Sequence, residues 1–202
     1  MTTIVAIQGS NFAIVGTDSR DSSVDGNGFP YQTSTAATGF AKVASNGNYL
    51  LGAAGDIRAI NILHHAFNPP AAQAAVKGKR LDKFMTTKFI PALRQTLEVE
   101  GYATQASTLT SQTAECNSTV LVVVNGVIYV IDSDYGWVSD QAGFYAIGSG
   151  ASFALGSMHT SVGRRNLNKL QARQIALKAL AAAAKYDPFT GAPFSTFMQE
   201  SE

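Results

Sequence analysis

Two six-residue blocks rich in β-forming residues open the chain, 3–8 and 12–17, with Gln8-Gly9-Ser10-Asn11 at their junction. That turn chemistry predicts a hairpin. Residues 21–28 are polar and contain Asp25-Gly26-Asn27-Gly28, which predicts a loop or a second hairpin tip. Short strands are expected near 39–44 and 49–54. After Gly55-Asp56 the period changes: Ile57, Ile60, Leu63 and Phe67 form a helical stripe that Asn68-Pro69-Pro70 ends. Leu81, Phe84, Met85, Phe89, Leu93 and Leu97 recur at helical spacing and predict a second helix over 81–99.

Residues 101–119, rich in Ser, Thr and Gln, read as a long loop or ragged edge. The clearest hairpin joins 119–124 to 127–131 through Asn125-Gly126, a pair that accepts the positive φ angles of a type I′ turn. Val120 to Val124 are apolar without alternation, so that strand is expected to be covered on both faces. A strand at 144–147 runs into Gly148-Ser149-Gly150. Helices follow over 150–161 and 170–186, the second rich in alanine, and a strand at 193–198 closes the chain. Strands, two helices, strands, two helices and a strand argue against alternating βαβ units. They predict an α+β fold in which two packed sheets carry helix pairs outside.

A length of 202 residues fits one domain with a substantial core, and there is no internal repeat. Charged residues make up only 14%, against roughly 25% in typical soluble domains, which implies extensive burial within or between subunits. A net charge of +1 gives no reason to expect nucleic acid or an anionic membrane as partner. No apolar run reaches the roughly 18–20 residues of a membrane-spanning helix. A single cysteine, Cys116, rules out an intrachain disulfide, and the start lacks a signal-peptide pattern, so an intracellular, cytoplasmic protein is expected. Cys116 beside a strand reads as packing. His64 and His65 are adjacent, point apart on a helix, and read as structural, so no metal site is expected.

The chemistry concentrates at the second residue. If Met1 is removed, Thr2 presents a hydroxyl and a free α-amine together. Such an amine titrates near ~7.7–8.0 and can act as a base at neutral pH, so a terminal threonine supplies its own nucleophile and base. Its branched Cβ restricts χ1 and aims the hydroxyl.

Six segments in order then carry a resemblance. They are Thr2-Thr3-Ile4-Val5, Gly16-Thr17-Asp18-Ser19-Arg20, Lys42-Val43, Gly52-Ala53-Ala54-Gly55, Ala146-Ile147-Gly148-Ser149-Gly150, and Tyr186-Asp187-Pro188-Phe189-Thr190-Gly191. Over nearly its whole length the chain resembles the catalytic β-type subunits of the proteasome and HslV peptidase family, the N-terminal-nucleophile hydrolases. The resemblance implies a four-layer αββα fold and a threonine-type endopeptidase acting through an acyl-enzyme on Thr2. It also implies a ring of subunits around peptide or unfolded-protein substrates, a separate ATPase unfoldase, and no cofactor. The chain has no phosphate-binding Gly-rich Lys-Ser/Thr loop, so an ATP requirement would belong to that partner.

Carried over residue by residue, Lys42 would stand beside the Thr2 hydroxyl, favouring the developing alkoxide and lowering the amine's pKa, and Asp18 would hold Lys42 charged. Gly55 would offer a backbone N–H to the oxyanion, or simply begin a helix. Ser149 would relay the amine's proton, or cap the next helix. Asp187 would orient Ser149, with Thr190 where the family usually has serine. Ser22 and Ala53 would contact substrate, the small Ala53 implying a roomy S1 pocket. Asp18 and Lys42 are further apart in sequence than is usual in the family. The extra residues, 21–32, lie beside the expected cleft. Two other readings share the fold: a non-catalytic structural ring subunit, which retention of Met1 would favour, and an N-terminal-nucleophile amidohydrolase acting on a small amide.

Overall fold

The computed structural model describes residues 2–24, 26–28, 30–38, 40–102, 104–105, 114–139, 142–162 and 166–201. Three antiparallel hairpins come first: β1 (Thr3–Gln8) with β2 (Phe12–Thr17), β3 (Arg20–Val24) with β4 (Pro30–Ser34), and β5 (Val43–Asn46) with β6 (Tyr49–Ala54). Helix α1 (Ile57–His65) is followed by a long helix in three pieces: α2 (Lys79–Phe84), a π turn (Met85–Phe89) and α3 (Ile90–Val99). Strands β7 (Thr104–Gln105) and β8 (Ala114–Glu115) form a short ladder. Then β9 (Thr119–Val124), β10 (Val127–Ile131) and β11 (Trp137–Val138) make a meander. Strand β12 (Phe144–Gly148) leads to α4 (Ala151–Val162), α5 (Lys169–Tyr186) and finally β13 (Ser195–Glu200).

The order in one sheet is β12-β1-β2-β13 and in the other β11-β10-β9-β6-β5. Period-2 alternation sorts their side chains into three apolar layers. Val5 and Ile7 of β1 pack against Ala154, Met158, Ala176 and Leu180 of α4 and α5. Ile4 and Ala6 point the other way and meet Leu121, Val123 and Ile128 between the sheets. Val120, Val122 and Val124 face Leu63, Met85, Phe89 and Leu93 of the α1–α3 layer. β9 is therefore buried on both faces, as its unbroken apolar run implies, and the whole is the α+β, four-layer αββα arrangement.

The stretch 21–32 folds largely into the β3–β4 ribbon, a hairpin paired from Arg20↔Ser34 to Val24↔Pro30. Elsewhere the structure departs from the pattern in small ways. The strand expected near 39–44 begins only at Val43, because Thr35–Thr38 is a 3₁₀ turn that Phe40 N–H extends by donating to Thr35 O. The last strand starts at Ser195, pairing with Thr17, two residues after Pro193, which has no N–H for a ladder. The loop expected over 101–119 contains β7 and β8; residues 106–113 lie outside the described part. The π turn precedes Pro91, which lacks an N–H and whose ring crowds the carbonyl four residues back. Widening the helix by one residue at this point absorbs that conflict.

Leu121 is fully buried between the sheets. Leu121→Ala should lower the unfolding free energy by about 2–5 kcal/mol in urea titration, with an unchanged m-value.

Candidate active site

Asp18 follows β2 and is fully inaccessible along its side chain. Its Oδ1 accepts from Thr3 N–H (3.0 Å) and from Lys42 Nζ (2.9 Å), while Oδ2 accepts from Arg20 N–H (3.0 Å) and Gly191 N–H (3.1 Å). One carboxylate thus gathers the start of β1, the start of β3, the residue before β5 and the loop after α5. Lys42 is no surface lysine: it is 3% exposed and also donates to Arg20 O. Burial draws its ammonium below the ordinary lysine range, and Asp18 partly opposes that shift.

Thr2 lies at the head of β1, its carbonyl accepting from Ser149 N–H (3.0 Å). Gly148 makes that approach possible. It pairs with Thr3 across the sheet and holds φ +95°, and a Cβ there would run into the Thr2 carbonyl oxygen. Ser149 does not cap α4: the first helical bond, from Ala154 N–H, goes to Gly150 O, and Ser149 Oγ donates instead to Asp187 Oδ2 (2.7 Å). Asp187 is the C-cap residue of α5, and the same Oδ2 accepts from Thr190 Oγ1 (2.5 Å). Since Thr190 donates its single hydroxyl proton there, the 2.5 Å contact between Thr3 Oγ1 and Thr190 Oγ1 has Thr3 as donor. Gly150 N–H donates in turn to Thr3 Oγ1 (3.1 Å). The chain of donors runs from Gly150 through Thr3 and Thr190 to Asp187.

Thr2, Lys42 and Gly55 open onto one cleft of about 210 Å³, with Asp21, Ser22 and Asp56 also in its walls. Gly55 has φ +139°, and a Cβ there would sit 2.5 Å from both Asn117 O and Ser118 Oγ. The next residue, Asp56, is the N-cap of α1 and accepts from Arg58 N–H, so the positive end of that helix borders the cleft. Ser22 Oγ is sealed from solvent without a hydrogen-bond partner among the described residues.

The structure places the expected S1 residue apart from the residues that line this cleft. Ala53 is fully buried and packs in the layer between β6 and the α1–α3 helices, away from the cleft lining. Alternation along β6 puts Tyr49, Leu51 and Ala53 on that face; the cleft wall comes from Asp56, Ile57 and Ile60 instead. Two participants escaped the sequence reading. Thr3 was signalled only by a hydroxyl in an otherwise apolar strand. Arg20, whose Nη1 donates to Pro188 O (2.8 Å), had no signal beyond its place after Asp18.

The remaining chemistry-bearing residues are quiet. Cys116 is buried, its thiol pushed up by desolvation and donating to Ser118 O. His64 stacks on Phe40, and burial lowers its pKa. Among the described residues no group of His, Cys, Asp or Glu has metal-binding geometry, and no helix is long and apolar enough to cross a membrane.

Asp18→Ala would leave Lys42 buried without its anion and three backbone N–H groups without an acceptor. It should cost about 3–5 kcal/mol in chemical denaturation. Asp18→Asn, which keeps the shape and one acceptor, should cost less.

Residues 103–197 match the model of the proteasome subunit family. This segment contains Ser149, Asp187 and Thr190 but not Thr2, Asp18 or Lys42. No curated protein matches the sequence. Among solved structures, BPH of Thiobacillus denitrificans is similar with a TM-score of 0.73 at 19% identity, covering 100% of this chain and 99% of its own. The same protein in complex with epoxomicin gives a TM-score of 0.71 at 17% identity, with 100% of both chains covered. HslV from Trypanosoma brucei gives 0.62 at 18% identity, over 98% of this chain and 99% of that one. The chain is therefore similar to the proteasome subunit family over 103–197, and in fold from end to end to BPH and HslV.

Proposed function

We propose that the protein is a threonine-type endopeptidase subunit, cleaving peptide bonds through an acyl-enzyme on Thr2 once Met1 is removed. The observation that carries this reading is that Lys42, ion-paired with the buried Asp18, lines the same cleft as Thr2. In this mechanism the freed α-amine takes the proton from Oγ as Oγ attacks the substrate carbonyl. Gly55 N–H, beside the N-terminus of α1, faces the charge that develops on the carbonyl oxygen. The protonated amine then gives its proton to the leaving amine, and water, activated by the same amine, hydrolyses the ester. Lys42 stays charged beside Oγ, held by Asp18. Ser149, aimed by Asp187 and Thr190, fixes the amine and helps pass its proton.

The fold resemblance supports the further reading that copies of the chain form a ring in the cytoplasm. That ring would enclose the sites and receive unfolded substrate from a separate ATPase. The epoxomicin complex of BPH supports testing this chain with the same class of reagent. A peptide epoxyketone captures a residue carrying both amine and hydroxyl. The expected result is an intact mass lacking Met1 and gaining one adduct on Thr2. Retained Met1 without an adduct would overturn the reading in favour of a structural subunit.

Two activity measurements follow. Thr2→Ala should abolish peptide turnover with assembly unchanged by size-exclusion chromatography, and Lys42→Ala should come close to it. Because burial lowers the Lys42 pKa from 10.5, the catalytically required ammonium should be lost at a lower pH than in an ordinary lysine. kcat/KM should therefore fall as pH rises through that depressed value. Asp18→Asn, by removing the attraction that holds the proton on, should move the fall to still lower pH.

A further inference from the structure

The cleft at Thr2 is walled unevenly. Asp21 and Ser22 of β3 stand on one side, and Asp56, Ile57 and Ile60 at the start of α1 on the other. Neither Asp21 nor Asp56 makes an ion pair among the described residues. Among the described residues Lys42 is the one cationic side chain in the lining, and its ammonium is already held by Asp18 and by Arg20 O. The nearby arginines turn elsewhere: Arg20 donates to Pro188 O, and Arg58 to Glu100 O. The walls thus carry two carboxylates that the protein itself does not neutralise. Asp56 is partly offset by the helix end it caps, which leaves Asp21 as the stronger feature. Ile57, 42% exposed, supplies apolar surface beside those charges, with Ile60 behind it.

A side chain that suits this lining has an aliphatic stem and a cationic end. The stem covers Ile57 while the head reaches the carboxylates. We propose that the cleft selects peptides with lysine or arginine as the residue whose carbonyl Thr2 attacks, Asp21 being the main specificity determinant and Asp56 the second. This rests on the reading of Thr2 as nucleophile. Neither carboxylate takes part in bond making or breaking; each acts on which substrate is held.

The test uses the full, assembled protein and fluorogenic peptides that differ only at that residue: Lys, Arg, Leu or Glu. At low salt kcat/KM for Lys and Arg should exceed that for Leu by about tenfold, and Glu should be slowest. Raising the salt should shrink the gap, because the carboxylates are solvent-accessible. Asp21→Asn should bring the Lys:Leu ratio close to one. Asp56→Asn, which preserves the helix cap, should lower it by a smaller factor. A ratio is the proper readout, because Asp21 also acts electrostatically on Lys42, and a change in general reactivity divides out. A wild-type protein that prefers Leu, or an Asp21→Asn ratio equal to wild type, would overturn the assignment. The epoxyketone adduct separates the two readings. An adduct without cationic preference sinks the specificity alone, whereas neither adduct nor turnover of any peptide sinks both.

Discussion

One carboxylate organises this molecule. Asp18 accepts four hydrogen bonds from segments that end or begin at β1, β3, β5 and the loop after α5. A fully buried anion is tolerable only when its lone pairs are filled, and three of the four donors here are backbone N–H groups fixed by the fold. The fourth is Lys42, whose ammonium would otherwise be as costly to bury. The pair is therefore held by the assembled sheets. It concentrates charge where the cleft needs it at the expense of Lys42's own basicity.

Asp187 repeats the device on the opposite side of Thr2 with neutral donors. Its Oδ2 collects the hydroxyls of Ser149 and Thr190, and Thr3 and Gly150 stand behind Thr190 in the same line. Every proton in that line points toward the carboxylate, so the orientation of each hydroxyl is settled by the next. Because Asp187 also caps α5, the line is anchored to an 18-residue helix rather than to a mobile loop. Two anions, each saturated by groups of defined direction, bracket the first residues of β1.

What could be read along the chain was whatever depends on neighbours in sequence. Asn125-Gly126 and the valine run before it specify a hairpin locally, and β9 and β10 pair across it. The helical stripe of 81–99 likewise held, apart from the π turn before Pro91. The site was legible only through its resemblance to a family. That identified Asp18, Lys42, Ser149, Asp187 and Thr190, which the structure brings together in two hydrogen-bonded groups around the start of β1. The roles of Thr3 and Arg20 were hidden, because their partners at Thr190 and Pro188 are 187 and 168 residues away. The burial of Ala53 was hidden for another reason: which face of β6 meets the helix layer depends on register with β9, and that is a property of the packed sheet.

Gly148 ties the cleft to the sheet in a further respect. Its backbone approaches Thr2 where no side chain fits, and Thr3 beside it is laddered to β12 in the interior of the first sheet. Opening the site therefore requires parting β1 from β12, which is also the step that would melt the layer beneath α4 and α5. The backbone at Thr2 is thereby tied to the interior of the first sheet, unlike a chain end that frays on its own.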